Sequence, residues 1–255
     1  MATVEQMKID EYRKTLKSLK EWEPFLLKNS GLPGPRGNIE LGQAVADEGN
    51  RAMFLRFISF DANVAPTNTP EEFLSFCGTI GFGRLLAEGD TDALQILRKQ
   101  ASDSRWRTRE GVAIALQRFG DKDLDALIKA MREWSKGNLL EQRAAIAALC
   151  EPRLLTNKKQ VASVLKILDT VTKSIEKAKD RKNDEFIALK KGLAYCWSVA
   201  VAASPEVGKA TMEKWFASKD KDVMWIMKEN SKKNRLARMD EKWVKRWQNK
   251  LNRDA

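Results

Sequence analysis

Apolar residues recur along this chain at intervals of three and four. Val161, Val164, Leu165, Leu168, Val171 and Ile175 fall on one stripe, and Lys166, Lys173, Lys177 and Lys179 occupy the other side, which predicts an amphipathic helix. Comparable stripes run through 41–58, 85–97, 112–119 and 124–134, and strand-like alternation is hard to find. Thr69-Pro70-Glu71-Glu72 reads as a capping-box start with proline at the first helical position, and Asn38 and Ser204-Pro205 read as two further helix openings. The segment 119–123, Phe-Gly-Asp-Lys-Asp, predicts a short polar connector between antiparallel helices. Two stretches, 30–38 and 61–69, concentrate glycine, proline and asparagine and read as loops. The first carries Arg36 but lacks the glycine-lysine spacing of a phosphate-binding loop, so it reads as a connector.

The pattern also repeats. Asp103, Trp106, Arg109 and Glu110 share their spacing with Asp222, Trp225, Lys228 and Glu229, 119 residues later, which is close to three units of about 40. Arg109-Glu-Gly-Val-Ala-Ile-Ala-Leu116 aligns with Gln142-Arg-Ala-Ala-Ile-Ala-Ala-Leu149 at an offset of 33. Small residues at those inner positions let neighbouring helices approach closely, and a helix pair of this size must share its apolar face with the next copy.

An aspartate opening a helix, a basic residue, Ala-x-Ala-Leu and a Gly-Asp turn make 103–121, 139–155 and 197–236 resemble the HEAT and armadillo repeat class. The resemblance implies an all-α fold, a right-handed α-α superhelix (solenoid) of about five or six helix pairs. It would form a single domain over 1–255, with repeats clearest in 101–236 and a basic capping helix over 237–255. Residues 1–100 fit the pattern less well. The implied function is binding: a helical surface that docks a protein or nucleic acid without chemistry of its own.

Composition narrows the chemistry. Among 255 residues there is no histidine, which excludes His-based triads, imidazole general bases and His-ligated metals. Cys77, Cys150 and Cys196 form no C-x-x-C pair, so zinc ribbons and disulfide frameworks are not expected, and Cys150 and Cys196 read as core thiols. No sequence motif for a cofactor or metal is present, and the expected set of both is none. The first residues lack an apolar leader and 192–207 reads as a buried helix rather than a membrane span, so a cytoplasmic location is expected.

Charge points to a partner. The net +11 is unevenly placed: residues 101–255 hold 34 basic and 21 acidic residues, whereas residues 1–100 hold 12 and 14. The run Lys228, Lys232, Lys233, Arg235, Arg238, Lys242, Lys245, Arg246, Lys250 and Arg253 faces only Glu229, Asp240 and Glu241. Together with Arg105, Arg107 and Arg109 flanking Trp106, and with Arg143, this series is the predicted contact for a nucleic acid or an acidic protein partner. Trp243 and Trp247, one turn apart, read as packing residues of the terminal helix.

One group within the HEAT-like class, the DNA alkylation repair glycosylases, uses a tryptophan-lined concave face and a catalytic aspartate four residues after a tryptophan. Here Trp106 is followed at that spacing by Glu110, with Arg143 and Trp197 downstream. The likeness implies, as the alternative, a base glycosylase in which Glu110 supplies the carboxylate.

Overall fold

The computed structural model describes residues 3–253 and is all-helical: the described residues contain α-helices and one short 3-10 turn, and no strand. The chain divides into two compact units, Met1–Lys122 and Asp123–Ala255.

The first unit contains α1 (Val4–Ser18), α2 (Glu23–Lys28), α3 (Ile39–Glu48), α4 (Arg51–Ile58), α5 (Glu72–Ala87), α6 (Asp92–Gln100) and α7 (Trp106–Lys122). Its centre is α5, which packs against α2, α3, α4, α6 and α7 and is buried on nearly every side. That enclosure requires small residues. A Cβ on Gly83 would stand 2.4 Å from Ala115 Cα of α7, and one on Gly81 would meet the Phe54 ring at 2.4 Å. Helix α3 packs on α1 and α5, and α5 packs on α7, so alternate helices adjoin one another.

The second unit contains α8 (Leu124–Trp134), α9 (Leu139–Leu149), α10 (Lys158–Lys177), α11 (Asp184–Ala203), α12 (Pro205–Phe216), α13 (Lys221–Ser231), α14 (Asn234–Met239) and α15 (Glu241–Arg253). It repeats the same arrangement around α11, which touches α9, α10, α12, α13 and α14. Helix α11 is long and apolar enough to cross a membrane by length and composition, and Leu189, Leu193, Trp197 and Val201 bury that apolar character inside the unit. The α10 stripe predicted from its periodicity is buried throughout. Trp243 and Trp247 of α15 pack on Phe216 of α12, edge-on at 5.6 Å and stacked at 4.7 Å, and both indole N–H groups donate to Glu213 Oε1 at 2.7 and 3.3 Å.

Several boundaries differ from the sequence reading. The stripe over 41–58 is two helices, divided at Gly49-Asn50, where the Asn50 side chain accepts from the Met53 N–H. The stripe over 85–97 is likewise interrupted between α5 and α6. The connector expected over 119–123 shrinks to Asp123, because α7 continues to Lys122 and Asp123 caps α8 by accepting from the Ala126 N–H at 2.9 Å. Helix α5 begins at Glu72, not directly after Thr69, and Glu72 turns back to accept from the Asn68 N–H at 2.6 Å. Asn38 and Ser204 occupy N-cap positions as the sequence suggested, with the Asn38 side chain accepting from the Leu41 N–H at 3.0 Å.

Candidate functional site

The predicted basic residues separate into those the fold consumes and those it displays. Arg105 is 1% exposed and lies inside the first unit. Its Nε and Nη2 clasp both oxygens of Asp103, Nη1 donates to the Phe60 and Ala65 carbonyls, and Nη2 also donates to Ser75 Oγ. Arg107 is 3% exposed. It donates to the Gly34 carbonyl at 2.5 Å and its Nε stands 3.5 Å from buried Glu72, tying loop 30–38 to the start of α5. Burial pushes the Glu72 carboxyl up against the lowering influence of the Asn68 N–H and Arg107. Arg109 donates to the Asp103 and Ser104 carbonyls before α7. Arg105 and Arg107 are therefore corrected from surface contacts to interior connectors.

Trp106 stays 42% exposed, with the Arg107 guanidinium 4.5 Å from its ring centre. Glu110 is half-buried and already engaged in an interaction, and it belongs to the first unit, whereas Arg143 and Trp197 belong to the second. Arg143 is half-buried on α9 and lies against α11, its Cγ 3.6 Å from where a Gly192 Cβ would stand. An open cavity of about 420 Å³ adjoins loop 30–38, but Lys8, Glu11, Arg36 and Glu40 line it with balanced charge.

A coherent site forms on the second unit. Ile187, Lys191 and Tyr195 recur every four residues along α11 and are exposed, because the buried stripe of the helix lies on its other side. On neighbouring α13, Trp225 is 37% exposed and Lys228 is half-buried, and Lys232, just past the helix, is exposed. The two helices are stitched together: Asn230 accepts from the Ser198 N–H and donates to the Leu193 carbonyl. Lys190 of α11 places its ammonium 4.6 Å from the Trp225 ring centre and bonds Asp222 of α13 at 2.7 Å. Arg235 of α14 stands 4.6 Å from the ring centre of Tyr195, which is 42% exposed, and donates to the Tyr195 hydroxyl at 2.7 Å. Sequence reasoning missed Lys190, Lys191 and Tyr195, and it used Trp225 only as a repeat position. Their signal was the i, i+4 spacing of Lys191 and Tyr195 opposite the apolar stripe.

The remaining cations differ in commitment. Lys232 pairs with Glu229, Lys245 with Glu241 and Arg246 with Glu213. Among the described residues, Lys191, Lys228, Lys233, Arg238 and Lys242 have no ion pair or side-chain hydrogen bond. The Arg253 side chain lies outside the described residues. Beneath this face Cys150 and Cys196 are buried, the Cys196 thiol donating to the Ile146 carbonyl at 3.4 Å, and burial pushes the Cys150 thiol up.

Compared with known proteins, the chain matches no family model, no curated protein and no solved structure. The geometry alone therefore carries the functional argument.

Asp222 anchors the Lys190–Trp225 pairing. Burial opposes its ionisation, but hydrogen bonds and charge from Lys190 and Arg181 outweigh that and hold the carboxyl below its ordinary value near 3.8. A carboxyl depressed by folding adds stability above the unfolded value, and that stability disappears as pH falls through the folded value. Acid titration of unfolding should therefore show stability declining below about pH 4, with a shallower decline in Asp222→Asn. Parallel curves for the two proteins would show that the anchor contributes nothing.

Proposed function

We propose that the chain is a non-catalytic helical-repeat scaffold that binds a polyanion, a nucleic acid or an acidic protein, on the basic face of its second unit. The observation that carries this reading is the group of uncommitted cations, Lys191, Lys228, Lys233, Arg238 and Lys242, which the fold keeps at its surface without acidic partners among the described residues. Surface cations that are not neutralised locally attract phosphates and carboxylates, and contacts to phosphates release counterions.

The second unit is read as a right-handed, HEAT-like α-α solenoid. What supports that is the packing of alternate helices: α9, α11 and α13 adjoin in turn, as do α8, α10 and α12, while α10 also pairs with α11. Helix α15 (Glu241–Arg253), amphipathic and basic, fits the role of the capping helix, whereas 237–239, expected to belong to it, end α14 before a break at Asp240.

The test is a polarisation titration of the whole protein with labelled single-stranded DNA, duplex DNA and polyglutamate at several salt concentrations. Five phosphate contacts predict a log-log salt slope of about −3.5 for the single strand and about −4.5 for the duplex. Replacing Lys191, Lys228 and Lys233 together by glutamate should abolish binding while leaving the melting curve unchanged. No binding of any of the three polymers at low salt would refute the reading.

A further inference from the structure

Resting on that reading of the α11–α14 face, we propose that its ligand is a single-stranded nucleic acid, whose bases stack on Tyr195 and Trp225 while Lys191, Lys228 and Arg235 meet its phosphates.

Among the described residues, the tryptophans and phenylalanines are otherwise buried or half-buried, and the exposed aromatic rings are Trp106, Tyr195 and Trp225. Two of these three stand on adjoining helices of one unit, Tyr195 one turn from Lys191 and Trp225 three residues from Lys228. An aromatic side chain left in water forgoes the stabilisation that burial would give it, so a pair kept there beside cations has a use at the surface.

The cations are placed to help a stacked base. Lys190 is bonded to Asp222, which Arg181 also bonds at 3.0 Å, and this places its ammonium over one face of the Trp225 ring. Arg235 is held in the same way by the Tyr195 hydroxyl. A cation over one face of a ring takes that face, so a base stacks on the remaining exposed surface of the ring, and the cation contributes positive charge next to the strand backbone. Lys191 lies one turn from Tyr195 on α11, and Lys228 lies three residues from Trp225 on α13, so each ring has a phosphate-reaching side chain alongside.

This arrangement discriminates among polyanions. An acidic peptide satisfies the lysines but offers few flat faces to the rings. A duplex satisfies the lysines too, but its base faces are hidden within its own stack. Only an unpaired strand presents phosphates and base faces together.

The experiment uses the full chain, an oligodeoxythymidylate of about fifteen nucleotides, a duplex of the same length, polyglutamate and heparin as the base-free polyanion, all followed by polarisation. Tyr195→Ala and Trp225→Ala should each weaken the oligodeoxythymidylate about tenfold and leave heparin within about twofold. Trp225→Phe should retain strand binding, Tyr195→Phe should lose only the part owed to the hydroxyl that holds Arg235, and Trp225→Leu, which keeps apolar bulk without a stacking face, should behave like Trp225→Ala. The phenylalanine and leucine variants carry the comparison if an alanine variant melts early. Equal weakening of the strand and of heparin by the ring variants, or tighter binding of duplex or polyglutamate than of the single strand, would overturn this inference while leaving polyanion binding in place. Failure of every polymer to bind would overturn both.

Discussion

Arg105→Ala should lower the unfolding free energy by about 3–5 kcal/mol, the range for removing one partner of a buried ion pair. The side chain is 1% exposed, and the Asp103 carboxylate it clasps is 15% exposed. Truncation leaves that carboxylate without its fork of donors, strips Nη1 from the Phe60 and Ala65 carbonyls and opens space beside Ser75. The damage spreads across three segments, because residues 60–65, Ser75 and the entry to α7 all meet at this guanidinium. Arg105→Lys should recover little of the loss, since one ammonium cannot reproduce the planar fork that reaches two oxygens of Asp103 and two carbonyls at once. Urea unfolding followed by circular dichroism measures both. A midpoint equal to that of the parent would show that water replaces the guanidinium. The polyanion affinity proposed for the second unit should be unchanged in folded Arg105→Lys, because Arg105 lies buried in the first unit.

Gly83→Ala should be the second severe substitution, its clash costing about 3 kcal/mol of stability. The added Cβ would lie 2.4 Å from Ala115 Cα and 2.5 Å from the Ala115 carbonyl oxygen, distances at which backbone must move. Helices α5 and α7 would have to separate, and α5 is held on its other sides by α2, α3, α4 and α6, so the separation would disturb the whole first unit. Alanine's better helix propensity offsets about 1 kcal/mol of this, leaving a net loss of about 2 kcal/mol. The effect is measurable as a fall in the melting temperature, and a protein that melts no lower than the parent would show that the α5–α7 contact is looser than described.

The helices themselves were legible in the residues. The stripe from Val161 to Ile175 is buried as its spacing predicted, and Asn38 caps α3 where the sequence suggested a helix opening. Both are local properties, set within a few residues by periodicity and by side-chain competition for orphan N–H groups. Boundaries were less legible where tertiary packing extends a helix past glycine, as α7 does through Gly120 to Lys122. The packing of Trp243 and Trp247 was also expected, since two indoles one turn apart on a basic helix have one shared side to bury.

The site was only partly legible. Arg105, Trp106, Arg107 and Arg109 look alike as a charged run around an indole, yet two of the arginines are interior and the indole is exposed. What separates them is the carbonyls of Phe60, Ala65 and Gly34, which lie 40 to 73 residues away in sequence. Tyr195 was hidden by its neighbours: Ala194 and Cys196 are buried, and an apolar stretch reads as uniformly interior until the flanking helices show which side they leave open.

By itself the sequence determined that this protein is helical, where most of its stripes lie, and that its basic excess follows residue 100. The tertiary structure alone decided which of those charges remain available. Periodicity is a property of neighbouring residues, whereas the pairing of Arg181 with Asp222 or Arg246 with Glu213 depends on through-space approach of groups 41 and 33 residues apart. A cation's role follows from the nearest opposite charge, and that distance exists only once the helices have packed.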